Sequence, residues 1–465
     1  MKGGVFVRTF SRVFSTLLLI VLLCTFTMWR NDAFPDMSAI TQLVQDTAGR
    51  LQTLTEIDPE DVTSPPRSPD EGAEFPEYAL SEPLDPELEA LICNAYRNHT
   101  EHIDLSAYQM KPEDLQNVIS AIHFSYPEFF YLGSRINYIP NEQNIVQEYK
   151  PEYLYDAATT ATMMNEYNAM VDAIVAKCPQ TGGDFAKLLY VHDHFVQNYS
   201  YDKVGLANNN AIRDAYSFFK YKTGVCQAYM LAMIAVCDDL GIESIPVTSA
   251  PMKHAWNMVK LNGAWYHVDV TWDDVDGYPS YTSYRYFLQS DAGMIAIDKD
   301  KAEGHRDWEA TEKATTVTYD TAIWHESNTP MLLNGGQYYC VVYETDPADK
   351  NVSGVVYSGA DPVGMSRSFT VKAKWTVAGS GGTQDYLDCY TGLAIYNGKL
   401  IYNTQNTLRA HDLTTGADTL LGFLSLDADK SVYGIVGISG NTVSCVVASA
   451  PKGAGYATVT YTITP

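Results

Sequence analysis

Two alternating segments, His254 to Lys260 and Trp265 to Thr271, flank Leu261-Asn262-Gly263-Ala264, and this pairing constrains the fold more than any other feature of the chain. Asn-Gly between such segments signals a two-residue hairpin turn, because both central positions need positive φ, which Asn and Gly tolerate best. The ladder then runs from Leu261 opposite Ala264 outward to His254 opposite Thr271. Asp269, two residues back from Thr271, becomes the diagonal neighbour of His254 on the same face. The other face carries Ala255, Val259, Leu261, Tyr266, Val268 and Val270, which suits burial. A slip of one residue would send His254 and Asp269 to opposite faces, so the register is a sharp expectation.

Upstream, the apolar run from Thr223 to Cys237, ending at Leu240-Gly241, predicts a buried helix with Thr223 as N-cap and Gly241 closing it in the left-handed conformation. Cys226 falls in its first turn, where unpaired amides and the positive end of the dipole favour a negative sulfur. Cys237 lies on the same helical face without a terminus to activate it and reads as core. Taken singly, a Cys in an apolar helix, a His on a strand and an Asp near a turn are ordinary structural residues; their conjunction is not. Thiol, imidazole and orienting carboxylate are the parts needed for covalent acyl transfer. His254 takes the thiol proton and returns it to a leaving amine, Asp269 fixes the tautomer, and the Cys226 amide supplies one oxyanion donor. A second oxyanion donor cannot be read from the sequence.

Four blocks in order, Lys222-Thr223-Gly224-Val225-Cys226-Gln227-Ala228-Tyr229, Leu240-Gly241-Ile242, His254-Ala255-Trp256-Asn257 and Trp265 through Asp273, resemble the core of the transglutaminase-like superfamily. His192-Asp193, Tyr201-Asp202 and Tyr126-Pro127-Glu128-Phe129-Phe130-Tyr131 resemble the lead-in of its bacterial surface members, so the likeness covers roughly residues 86 to 290. It implies a papain-like α+β fold with the Cys helix on an antiparallel sheet, Cys226 as nucleophile, His254 as base and Asp269 as orienting acid. Two positions depart from the pattern: Ala228 and Ser249 stand where Gly is common. Ala suits a helix, so the first is expected to leave the chemistry unchanged; the second is expected to alter the loop that shapes the cleft, and with it substrate preference.

The rest of the chain organises around this core. Lys2, Arg8 and Arg12 precede an uncharged run from Val13 to Trp29, closed by Arg30. Residues 1–30 read as an uncleaved signal anchor that leaves the body outside the cell, with secretion the outcome if the segment is cleaved. Residues 31–85 are acidic and proline-rich and read as an extended spacer. Folded structure is expected from Asp85-Pro86, a cap followed by proline at the first helical position. Helices are expected to about Tyr96, from Lys111-Pro112, over Ala157 to Cys178 and over Asp184 to Asn198. Helices before strands make the 86–315 segment α+β. Beyond about Thr315 short alternating segments take over. Residues 316–465 read as an all-β domain, a sandwich or an open stack of propeller-like blades, with similar hairpins at Leu333-Asn334-Gly335, Tyr396-Asn397-Gly398 and Ile438-Ser439-Gly440.

The net charge of -25, with 56 acidic against 31 basic residues, disfavours nucleic acid as a partner, since phosphate binding needs a concentrated basic surface. It suits cationic substrates and solubility equally. The expected partners are a protein or peptide substrate, cell-wall peptides among them, and the membrane through the anchor. Eight cysteines without Cys-x-x-Cys give no disulfide framework or zinc spacing, although Cys340, Cys389 and Cys445 leave room for one bridge. No cofactor or metal is expected. His192-Asp193-His194 resembles a metal motif, but residues two apart on a helix point apart. Asp273-Asp274-Val275-Asp276-Gly277 lacks the full ligand series of a calcium loop. His267 shares the face of His254 and is the rival base. The reading from another class is a non-catalytic surface scaffold that keeps the fold.

Overall fold

The computed structural model describes residues 83–275, 281–298, 304–345, 352–372, 374–379, 382–387, 390–427, 429–449 and 456–463. All of these belong to one compact unit, Ser64–Pro465. The expected anchor and nearly all of the expected spacer lie outside the described residues. Among the described residues no helix is long and apolar enough to cross a membrane.

The fold is α+β. Helix α1, Pro86–Arg97, begins where Asp85 accepts the amides of Glu87 at 2.9 Å and Leu88 at 3.3 Å, while Pro86 has no amide to satisfy. Helix α2, Pro112–Ser125, starts with Asp114 accepting the Lys111 amide at 2.9 Å. The two helices bury Ile92, Tyr96, Leu115 and Ile119 with Phe129 and Tyr149 in a cluster of their own. Helices α3, Ala157–Val175, and α4, Gly183–Asn198, lead into the main core, which holds Phe185, Leu188, Val191 and Phe195.

At its centre is α5, Cys226–Leu240, apolar around nearly its whole circumference and buried from Ala228 to Cys237. Gly241, at φ 71°, closes it, with its own amide and that of Ile242 satisfying the carbonyls of Asp238 and Cys237. The start differs from expectation. Val225 is the N-cap and supplies no side-chain bond, because Thr223-Gly224 is drawn into a parallel bridge with Ser200-Tyr201 and the Thr223 hydroxyl donates to the Ser200 carbonyl at 3.0 Å. Gly224 has to be glycine: a Cβ there would lie 2.7 Å from Ala228 Cβ and 2.8 Å from the Phe218 ring.

Helix α5 packs on a four-stranded antiparallel sheet in the order β1, Ser244–Ser249; β2, His254–Leu261; β3, Ala264–Val268; β4, Phe287–Gln289. The hairpin has the expected turn and register, with Asn262 at φ 53°, Gly263 at φ 80°, and pairs from Leu261 with Ala264 to Asn257 with Val268. Its Ala255, Val259, Tyr266 and Val268 face joins the cluster of α5, and Trp256 and Met258 on the other face join Val247, Tyr286 and Met294. The ladder ends earlier than the alternation suggests. After Val268 the chain turns into a short helix α6, Val270–Asp273, capped by Asp269, so His254 does not pair with Thr271 and instead lies opposite Ser249 on β1.

The C-terminal part is all-β. Antiparallel meanders of four strands over 332–372 and 393–423 are accompanied by a two-stranded pair over 374–387 and a three-stranded sheet over 431–462. The 393–423 sheet alternates its contacts. Leu393, Leu400 and Tyr402 pack with Val341 and Val356 of the preceding meander, and Ala394, Ile401 and Leu408 pack with Val432 and Val443 of the following sheet. This period-two sharing builds a stack of blades. The three expected hairpins form, turning at Gly335-Gly336, Asn397-Gly398 and Gly440-Asn441. Cys340 and Cys445 are buried free thiols, and Cys389 lies outside the described residues. The apolar core does not stop at 315, because Trp324, Tyr338 and Cys340 belong to the same cluster as α5.

Trp324 is fully buried against Phe185, Tyr284 and Phe287. Trp324→Ala is expected to cost about 3–5 kcal/mol, read as a lower urea midpoint of the same cooperative transition that reports on the Cys helix. A second, independent transition confined to the β region would contradict the shared core.

Candidate active site

Cys226 is the first residue of α5, and the hairpin ends at His254 and Val268. Two buried bonds about one turn beyond Cys226 tie α5 to the hairpin and to the segment after Val268. Asn257 on β2 donates from Nδ2 to the Met230 carbonyl at 3.1 Å, and the Tyr229 hydroxyl donates to Asp274 just past α6. The start of the Cys helix is thereby tied to the strand that carries His254 and to the turn that carries Asp269. Val225 makes no side-chain cap bond, and the positive end of the helix dipole favours a negative charge at this N-terminus.

His254 and Asp269 meet as expected, by a different route. His254 Nε2 is 2.6 Å from Asp269 Oδ2, leaving Nδ1 as the other ring nitrogen. Asp269 Oδ1 accepts the Trp272 amide at 3.1 Å, so one carboxylate both caps α6 and holds the imidazole. Asp269 is fully buried. Burial alone would raise its carboxyl, but the charge and hydrogen bond of His254, with a further bond from His305, outweigh that and hold it well below the ordinary carboxylate range. The His254 ring stacks on Trp256, with centroids 5.4 Å apart, and lies against Trp272.

Acyl transfer needs a thiol that an incoming carbonyl can reach, yet Cys226 is 1% exposed and His254 4%. A described cleft of about 920 Å³ lies at the opposite end of α5, lined by Glu128, Tyr167, Asp238 and Asp239, and does not reach Cys226. Cys237 is buried and its thiol is pushed far above the usual range by burial and by the neighbouring Asp238 charge, in keeping with a core role.

The other motifs resolve into support. His267 accepts from Trp256 Nε1 at 3.0 Å on Nδ1 and meets Asp291 with Nε2 at 2.9 Å, so both of its nitrogens are engaged within the protein. His192 points inward between Asp193 at 3.0 Å and Asp273 at 3.2 Å, while His194 stacks on Tyr190; the two rings do not converge. Asp273 also accepts from Ser283 and the Tyr286 amide, while Asp276 and Gly277 of the same run lie outside the described residues. His305, absent from the sequence reading, is the residue the structure adds: its Nε2 is 2.9 Å from Asp269 Oδ2.

Among the described residues, His254, Asp269 and His305 form the one group of possible ligands compact enough for a metal, with ligand atoms within 4.8 Å of one another. Their N to O separations of 2.6 and 2.9 Å are hydrogen-bond distances. A tetrahedral zinc would hold such atoms about 3.3 Å apart. As arranged, the group is a hydrogen-bonded set.

His192 gives the site a pH signature. Burial opposes its charge, but the bonds to and charges of Asp193 and Asp273 outweigh this and raise it from 6.5 to about 9. The folded chain therefore keeps a proton that the unfolded chain loses, so this contribution is complete below pH 6.5 and disappears as pH rises through about 9. Denaturation midpoints of wild type are expected to fall across that window, and those of His192→Gln to fall less; parallel curves would remove the linkage.

Residues 168–270 match the model of the transglutaminase-like superfamily. No curated protein matches the chain. Among solved structures, a TGase is similar at 13% identity, covering 35% of this chain and 48% of that one, with a TM-score of 0.21. A candidate cysteine protease from Cytophaga hutchinsonii is similar at 14% identity, covering 30% and 61%, with a TM-score of 0.20. A candidate protease from Parabacteroides distasonis is similar at 8% identity, covering 49% and 62%, with a TM-score of 0.20. The chain thus spans less than two thirds of the length of each, and at these TM-scores the likenesses carry no argument. The segment that holds Cys226, His254 and Asp269 is a transglutaminase-like core with an α+β fold.

Proposed function

We propose that the chain is a cysteine-dependent enzyme that forms a thioester at Cys226 from an amide substrate, with His254 as base and Asp269 as orienting acid. The observation that carries the reading is the 2.6 Å bond from His254 Nε2 to a buried Asp269. It fixes the Nε2–H tautomer and leaves a bare Nδ1 to take a thiol proton. The Cys226 sulfur attacks the amide carbonyl, the carbon to nitrogen bond breaks, and His254 passes its proton to the departing amine. Attack on the thioester by a lysine amine gives a cross-link; attack by water gives deamidation or peptide hydrolysis. Protein or cell-wall peptide is the proposed substrate class. The charge pattern of residues 1–30 supports a membrane-anchored, extracytoplasmic body.

The 1% exposure of Cys226 favours a second reading, a binding scaffold that keeps the fold without turnover. In the enzyme, the cover over the sulfur opens when substrate binds. A thiol-reactive amide mimic separates the two. Wild type is expected to be labelled, Cys226→Ala not at all, and His254→Gln at least about 1000-fold more slowly; equal labelling of all three, or of none, supports the scaffold. Incorporation of a fluorescent amine into a glutamine-rich protein then marks a transferase, and ammonia or new termini without incorporation marks a hydrolase.

A further inference from the structure

The proposed triad uses only one of two imidazoles that reach Asp269. His305 Nε2 lies 2.9 Å from the same Oδ2 that His254 Nε2 meets at 2.6 Å. His305 is 3% exposed. Its ring is wedged against Trp272, Tyr286 and Trp256 with centroids 4.3, 4.9 and 4.9 Å away. The backbone beside it is anchored as well. Ser249, at the position where the resembled family commonly has Gly, donates from Oγ to the Arg306 carbonyl at 2.9 Å, and Thr248 and Glu309 exchange backbone bonds at 3.1 and 2.8 Å. The departure noted in the sequence thus holds in place the segment that delivers His305.

We propose that His305 is a positioning residue for the reaction: by sharing Oδ2 it fixes the plane of the Asp269 carboxylate and tempers the pull of that carboxylate on the His254 proton. The inference rests on the acyl-transfer reading above. With the Trp272 amide on Oδ1 and two imidazoles on Oδ2, three donors hold the carboxylate and leave it no rotation that keeps them all. A carboxylate devoted to His254 alone would stabilise the imidazolium further and slow return of its proton to the leaving amine, since an acid-base group works best with a proton affinity matched to its surroundings. A second donor divides the negative charge. Among the described residues, the groups that face His305 include His254 and Trp256 from β2, Asp269 and Trp272 from the α6 turn, Tyr286 from the approach to β4, and His267, whose charged form His305 disfavours while Asp291 favours it. The guanidinium of Arg306 is turned to the Gly304 carbonyl at 2.8 Å.

The test is the rate of Cys226 alkylation by iodoacetamide against pH in the full chain, with Cys226→Ala as background. His305→Ala is expected to move the alkaline limb, where the imidazolium loses its proton, upward by about half to one pH unit. His305→Gln, whose amide can donate over a similar reach, is expected to return the limb close to wild type. Coincident limbs in all three proteins, or a Gln variant that behaves like the Ala variant, would overturn the proposal whatever happens to thermal stability. If the Ala variant does not fold, proton NMR of wild type and His305→Gln decides by difference: beside the imidazole protons that His192 and His267 give to their own carboxylates, wild type is expected to show a downfield exchangeable imidazole proton that the Gln variant lacks. The same set of downfield protons in both proteins also overturns it. Failure of the underlying reading looks different, because wild-type Cys226 would then titrate as an ordinary thiol near about 8.5 with no imidazole-linked limb.

Discussion

A carboxylate with no exposure to solvent is the constraint around which the core is arranged. Asp269 has lost its hydration, and the ionised form survives only because three donors replace the water: the Trp272 amide, His254 and His305. Each comes from a different element, the α6 turn, β2 and the segment after residue 303. The carboxylate can stay charged only while those elements keep their places, and the elements keep their places partly because the carboxylate demands it. The bond that orients the proposed base is thus also a fastening of the fold.

Around it the polar contacts form a second layer with the same logic. Asn257 ties β2 to the Cys helix, Tyr229 ties that helix to Asp274, and Asp273 ties the same turn to His192. Residues in the His-Ala-Trp-Asn and Asp-Val-Thr-Trp-Asp blocks therefore hold elements together. Asn257 and Asp273 are buried polar groups satisfied across elements, which fixes where the helix start lies relative to the hairpin more tightly than apolar packing does.

The sequence disclosed the parts whose signals are local. Asn262-Gly263 dictates a turn whatever surrounds it, and the register followed; the caps at Asp85 and Gly241 are of the same kind. What stayed hidden depends on distant residues. Val268 to Thr271 alternates like a strand, but Asp269 gains more by capping α6 and meeting two imidazoles than by continuing a ladder, so tertiary contacts overrode the pattern. Thr223 has the chemistry of a cap, and a bridge to Ser200 took its hydroxyl. His305 stands 36 residues from Asp269 in an unpatterned stretch, and its role is visible only once the sheet is assembled. The burial of Cys226 is likewise a property of assembled elements and not of any motif.

Trp324 and Tyr338 belong to the wall of aromatic rings that backs the Cys helix, although they follow the point at which helical periodicity gives way to strands. The first blade is therefore a buttress and not a detachable appendage. A fragment trimmed at the change in periodicity would bare Phe185 and Phe287 to water, and the same would hold for any natural exchange of the β region for another module unless the newcomer brought its own indole to fill the gap.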